Sequence, residues 1–143
     1  PVHMIDLLEK GLKEKDKELQ GSEICILGYA FLENSDDPRN TPTKRVIEEL
    51  KKRGASYRLH DPFIKEDSGI DIEQNLEKCL KGSDGILLMT KHDQYKELDP
   101  ETISKLVRNR VLVDGRNTYD GEDFMRRGFE FLGIGKGNYR RRK

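Results

Sequence analysis

The stretch Glu23-Ile24-Cys25-Ile26-Leu27-Gly28 decides the fold. A short apolar run closed by glycine reads as a strand covered on both faces, the kind that parallel sheets contain. Ile86-Leu87-Leu88-Met89-Thr90 is apolar throughout in the same way and reads as a second central strand. Outward from these two, Ser56–His60 places Tyr57 and Leu59 on one face and is closed by Asp61-Pro62. Val111-Leu112-Val113-Asp114 and residues 129–132 complete the set of strands. Helical spacing fills the gaps between them. Thr41 caps a helix whose first position is Pro42 and whose buried stripe is Val46, Ile47 and Leu50, with Gly54 as the stop. Residues 71–81 read as a helix burying Ile72, Leu76, Cys79 and Leu80, and residues 99–108 as one burying Ile103, Leu106 and Val107. A short helix is expected around Phe124-Met125. Strands alternating with helices predict an α/β domain of three layers, a parallel sheet of about five strands with helices on both faces.

One helix precedes the sheet. Residues 2–19 carry Ile5, Leu8, Leu12 and Leu19 on one stripe, and Val2, Met4 and Leu7 widen it at the front. So apolar a front half is expected to lack a packing partner within this chain. The opposite end, residues 137–143 with Arg140-Arg141-Arg142-Lys143, reads as a solvated basic tail.

The 143 residues suit one domain. Lys and Arg number 27 and so do Asp and Glu, so the basic excess of a nucleic-acid binder is missing. No apolar run approaches the about 18 residues of a membrane span. No signal-peptide pattern opens the sequence, and a cytoplasmic location is expected. Cys25 and Cys79 fall on apolar faces and are expected to be buried free thiols. His3, His60 and His92 share no metal-ligand spacing with each other or with the cysteines, so no metal is expected.

Ligands of open parallel sheets bind beyond the carboxyl ends of the strands, near the point where strand order reverses. Four loops leave those ends: residues 28–42, Asp61-Pro62, Thr90-Lys91-His92 and Asp114-Gly115-Arg116-Asn117. The first is much longer than the roughly two to six residues usual for a strand-to-helix connection. It ends at a helix N-terminus, which favours an anion. Asp36, Asp37 and Arg39 within it either contact a ligand or form a local ion-pair and capping cluster. Arg116 can offer a planar fork to phosphate oxygens. Gly133-Ile134-Gly135-Lys136-Gly137 follows the last strand with no helix after it, so it is not a phosphate loop. The first strand ends in Gly28 without a G-x-G-x-x-G, which argues against an NAD site in this domain.

Ile24-Cys25-Ile26-Leu27-Gly28-Tyr29-Ala30-Phe31, followed by Asn34-Ser35-Asp36-Asp37-Pro38-Arg39-Asn40-Thr41-Pro42, resembles the opening of the UDP-binding C-terminal domain of the UDP-glucose/GDP-mannose dehydrogenase family. His60-Asp61-Pro62, Thr90-Lys91-His92, Asp114-Gly115-Arg116-Asn117 and the closing Gly133-Ile134-Gly135 resemble later motifs of that domain, in order. The Asp-Asp-x-Arg-Asn-Thr-Pro variant leans toward the branch acting on N-acetylated sugars such as UDP-N-acetylmannosamine. The resemblance implies a Rossmann-like domain at residues 21–136, with residues 1–20 as the trailing end of a central linker helix. It implies an NAD-dependent, four-electron oxidation of the C6 alcohol of a UDP-sugar to a carboxylate, for polysaccharide or glycan precursors. NAD and the catalytic cysteine then belong to N-terminal and central domains, the full enzyme is a homodimer, and this chain alone is inactive. Cys25, inside a strand, does not stand in for that cysteine. Carried over by position, Phe31 lies beside the substrate and Arg116 contacts phosphate or sugar; Leu32, Asp36 and Arg39 on the first loop complete the expected substrate-binding set. Leu32 stands where the family keeps a lysine, and Lys44 or Arg39 is expected to compensate.

Two other functions compete. A stand-alone nucleotide-binding module would not leave the front of the first helix bare. A signalling receiver domain needs acidic residues at the first strand's end and a phosphoacceptor aspartate where Thr90 stands.

Overall fold

The computed structural model describes residues 2–30, 32–37, 41–67 and 69–133. The elements are α1 (Val2–Glu14), β1 (Glu23–Leu27), α2 (Thr43–Lys52), β2 (Ser56–His60), β3 (Glu66–Asp67), β4 (Ile70–Asp71), α3 (Leu76–Leu80), β5 (Gly85–Leu88), α4 (Asp93–Lys96), α5 (Pro100–Leu106), β6 (Val111–Asp114), α6 (Gly121–Met125) and β7 (Glu130–Gly133). Five parallel strands form one sheet in the order β2-β1-β5-β6-β7. The chain runs outward from β1 to β2, then crosses back to β5 on the other side of β1. The order therefore reverses between β1 and β5, where a ligand crevice is expected.

Alternation along the strands divides the core into two faces. Ile24, Ile26, Leu87, Val111, Val113 and Leu132 pack with α1 and α2. Cys25, Leu27, Ile86, Leu88, Leu112 and Phe131 pack with α3 to α6. The three-layer α/β architecture is the one the strand pattern predicts. Cys25 and Cys79 are free thiols in the second face, their Sγ atoms 3.0 Å apart. Burial first, and their mutual hydrogen bond second, push the Cys25 thiol up.

Two sequence expectations fail at α1. The helix stops at Glu14 instead of continuing to residue 19. Asp16 adopts φ 59, and the amides of Asp16 and Lys17 donate to Lys13 O and Leu12 O at 3.0 and 2.9 Å. This is a left-handed helix stop with an aspartate in the place usually held by glycine. Nor is the front half bare. Met4, Ile5, Leu8 and Leu12 are buried against the sheet, leaving Val2 exposed. Gly11 allows the close approach: a Cβ there would lie 2.8 Å from Val111 Cγ1 and 2.9 Å from Leu132 Cδ1. The bare-surface argument against a self-contained module therefore loses its premise.

The expected helix over 71–81 shortens to α3, capped by Asn75 Oδ1, which accepts from Lys78 N at 3.0 Å. The preceding residues form the antiparallel β3–β4 hairpin instead. Ile72 is still buried, but from an extended segment that docks on the edge of β2, where Glu73 N donates to Leu59 O at 2.7 Å. The 99–108 helix is the shorter α5, and α4 is an unforeseen single turn ahead of it. Among the described residues no helix is long and apolar enough to cross a membrane. The expected tail, residues 137–143, lies outside the described residues, as does the Gly-rich stretch from Ile134 on.

Candidate functional site

The site grows from the C-terminal ends of β1 and β5. Gly28, directly after β1, has φ 105, and a Cβ there would sit 2.5 Å from Thr90 Cβ. Only glycine tolerates both the left-handed backbone and that contact. Thr90 Oγ1 then donates to Ala30 O at 2.6 Å, fastening the loop after β1 to the segment after β5. At the far end of the loop, Thr41 Oγ1 donates to Tyr29 O and accepts from Thr43 N at 3.1 Å, while Thr43 Oγ1 donates to Gly28 O at 3.0 Å. The helix starts one residue later than its sequence predicts: Pro42, not Thr41, stands at the N-cap of α2, and Thr41 instead closes the loop at its base.

Asp61, just past β2, is the centre of this edge. Its carboxylate is fully buried. Oδ2 accepts from Tyr29 N at 2.7 Å, Ala30 N at 3.0 Å and His92 Nε2 at 3.0 Å. Oδ1 accepts from Phe63 N at 2.8 Å and Ile64 N at 3.1 Å. Burial alone would raise the carboxyl's pKa, but these donors outweigh it and hold it at about 2. His92 is also fully buried, and its second ring nitrogen, Nδ1, accepts from Asn34 N at 2.7 Å. Asn34, at φ 54, returns a contact by accepting from Asp93 N at 3.1 Å. Behind this group, Tyr95 OH donates to His60 O at 2.9 Å and lies 2.8 Å from His60 Nδ1. Burial lowers the pKa of His60.

The loop after β6 is built on the same plan. Asp114 Oδ1 accepts from Arg116 N at 3.1 Å, and Oδ2 accepts from Thr118 N and Tyr119 N, both at 2.8 Å. A Cβ on Gly115 would lie 2.7 Å from Met4 Sδ, so α1 buttresses this loop from below. Arg116 is half-buried on a backbone fixed by these bonds.

The structure thus brings Leu32, Asp36 and Arg116 to one sheet edge, on the loops after β1 and β6, with the loop after β5 between them. Leu32 is 59% exposed and Asp36 is exposed. Phe31 and Arg39 lie outside the described residues. Lys44, expected to compensate for Leu32, stands 3.5 Å from Asp67 in an ion pair that also involves the Tyr29 hydroxyl as donor to Asp67. Its charge is directed to the β3–β4 hairpin. Asp61, His92 and Asn34 received no role from the sequence, although their loops were marked. The available signal was an aspartate at a strand end, the register in which a carboxylate can reach neighbouring loop amides.

The first turn does not fit the pyrophosphate of NAD. The amides that would cradle it are already taken: Gly28 N donates to His60 O at 2.8 Å, and Tyr29 N and Ala30 N to Asp61. A broad groove of about 1190 Å³ lies elsewhere, between β2 and the β3–β4 hairpin. There Glu66, Asp67, Asp71 and Glu73 outnumber Arg58 and Lys65, the wrong balance for a diphosphate. Among the described residues no cluster of His, Cys, Asp or Glu is arranged to hold a metal ion.

Residues 25–121 match the family model described as the UDP-glucose/GDP-mannose dehydrogenase family, UDP binding domain. UDP-N-acetyl-D-mannosamine dehydrogenase of Pyrococcus horikoshii is 30% identical over 138 residues, covering 96% of this chain and 31% of that protein. UDP-glucose 6-dehydrogenase of Rhizobium meliloti is 27% identical, covering 83% of this chain and 28% of that protein. The crystal structure of NDP-N-acetyl-D-galactosaminuronic acid dehydrogenase from Methanosarcina mazei Go1 matches with a TM-score of 0.92 at 35% identity, over 94% of this chain and 29% of that one. The chain spans less than a third of the length of each of these relatives.

Proposed function

The chain belongs to the UDP-glucose/GDP-mannose dehydrogenase family, as its UDP-binding domain, and from that premise we propose that it holds the nucleotide of a UDP-sugar at the C-terminal edge of its sheet. The observation that carries this reading is the anchoring of the described ends of the loop after β1, and of the loop after β6, at the sheet edge where strand order reverses between β1 and β5. Arg116 meets the diphosphate, and Phe31, Leu32, Asp36 and Arg39 lie along the rest of the nucleotide-sugar. The whole enzyme oxidises the sugar C6 alcohol to a carboxylate with NAD. NAD binds on a preceding domain, in keeping with the occupied amides of the first turn here. An N-acetylated sugar is the substrate, a reading supported by the similarity to the P. horikoshii and M. mazei dehydrogenases. The enzyme works as a cytoplasmic homodimer, with residues 1–20 leading in from its central domain.

Titration calorimetry tests the binding reading. UDP binds this chain weakly, because the rest of the site comes from other domains, and NAD does not bind. Tight NAD binding would sink the proposal. In the whole enzyme, Arg116→Ala weakens UDP-sugar binding by about 1.5–3 kcal/mol, the value of a hydrogen bond to a charged group. Unchanged KM and kcat would remove Arg116 from the site.

The burial of α1 within the domain's own core favours one other reading, a nucleotide-binding module complete in itself. That module would bind UDP with the same affinity whether or not the dehydrogenase domains were joined to it.

A further inference from the structure

We infer that the buried Asp61–His92 pair is a positioning device for the nucleotide-sugar site, a clamp that joins the ends of β2 and β5 and holds the loop after β1 at Asn34 without touching the ligand. The inference rests on the proposed function, because it assigns what that site needs before a ligand arrives. Both side chains are fully buried, so neither can contact a nucleotide. A fully buried carboxylate is costly to keep charged unless donors surround it. Asp61 has five donors, from Tyr29, Ala30, Phe63, Ile64 and His92. Two of them, the Tyr29 and Ala30 amides, open the loop after β1, directly ahead of Phe31.

His92 extends the clamp further along the same loop. Its Nε2 lies on Asp61 Oδ2 at 3.0 Å, and its Nδ1 receives the Asn34 amide at 2.7 Å. An amide N–H can only donate, so Nδ1 must be the acceptor and the ring hydrogen sits on Nε2, facing the carboxylate. The tautomer is thus dictated from both sides. Asn34 closes the exchange through its side chain on Asp93 N at 3.1 Å. The loop is therefore gripped at Tyr29-Ala30 by Asp61 and at Asn34 by His92. The residues between these grips include Leu32 and the position proposed to lie beside the substrate. A loop placed in advance avoids the ordering cost that binding would otherwise carry.

The two nitrogens can be tested separately. His92→Gln superposes an amide N–H on Nε2 and keeps the bond to Asp61, but leaves Asn34 without its acceptor. His92→Asn superposes a carbonyl on Nδ1 and keeps Asn34, but loses Asp61. UDP is titrated into this chain, with the melting temperature and the hydrogen exchange of the Asn34 amide followed in parallel. The clamp predicts that His92→Gln melts within a few degrees of the parent, exposes the Asn34 amide to exchange and weakens UDP about 10-fold. It predicts that His92→Asn melts lower, keeps the Asn34 amide protected and binds UDP more tightly than His92→Gln. Wild-type UDP affinity in His92→Gln with a freely exchanging Asn34 amide would overturn the positioning role alone. No UDP binding by the parent chain would overturn the nucleotide reading on which it rests.

Discussion

Gly28 is the residue on which the site depends most directly. It turns the chain off β1 at φ 105 and lets Thr90 approach to where a Cβ would be 2.5 Å away. The clash is with the Cβ and backbone of Thr90, atoms that cannot rotate aside. Gly28→Ala is therefore expected to lower stability by about 3 kcal/mol, combining left-handed strain with overpacking. Urea denaturation measures it, and an unchanged midpoint would mean the turn can relax. Leu32 is the opposite case. At 59% exposure it packs against little, so Leu32→Lys should change stability by no more than about 0.5 kcal/mol. It places a positive charge at the proposed site, and UDP affinity should rise, more at low salt than at high. A rise that persists in 1 M salt would point to a contact other than charge.

At the scale of elements, α1 is part of the domain. Leu8 is fully buried, and its Cδ1 lies where a Cβ on Gly85 would come within 2.8 Å. Leu8→Ala should cost about 2–5 kcal/mol and lower a single cooperative melting transition. A change below 1 kcal/mol would mean that the helix is only loosely applied to the sheet. What the sequence made legible follows from this packing. Strands covered on both faces advertise themselves as continuous apolar runs, so β1, β5 and β6 were readable, and with them the loops that leave their ends. The end of α1 was not, because Asp16 takes the left-handed stop that glycine would have signalled. The β3–β4 hairpin was not either, since strands of two residues have no period to read, and Ile72 happened to fall on a helical stripe. Arg116 could be placed from its strand alone. The Asp61–His92–Asn34 contacts could not, because they join residues 31 and 58 positions apart whose partners only the sheet order selects.

Of the three aspartates buried among the described residues, Asp61 and Asp84 pin opposite ends of the sheet. Asp61 gathers the loops at the carboxyl ends of the strands. Asp84 does the same at the amino ends, accepting from Glu23 N at 2.9 Å and from Arg108 Nε and Nη2 at 2.8 and 2.7 Å. Burial would raise the pKa of each, yet the His92 and Arg108 side chains and the backbone amides bring both down to about 2. A carboxyl held lower in the folded than in the unfolded chain stabilises the fold at neutral pH. That stabilisation starts to fade below the unfolded value of about 3.9 and is gone once pH has passed below about 2. His60 adds an earlier step. Burial keeps it neutral, so below its unfolded pKa of about 6.5 the unfolded chain takes up a proton that the folded one resists, and stability begins to fall there. Urea titrations at a series of pH values should therefore show a shallow decline starting near pH 6.5 and a steeper one between about pH 4 and pH 2. Asp84→Asn isolates one component, because it leaves the ligand edge intact. Its deficit relative to the parent should be full at pH 7 and shrink as pH falls from 4 to 2. A deficit that stays constant across that range would show that Asp84 acts through shape and neutral hydrogen bonds, and that its charge contributes nothing to the fold.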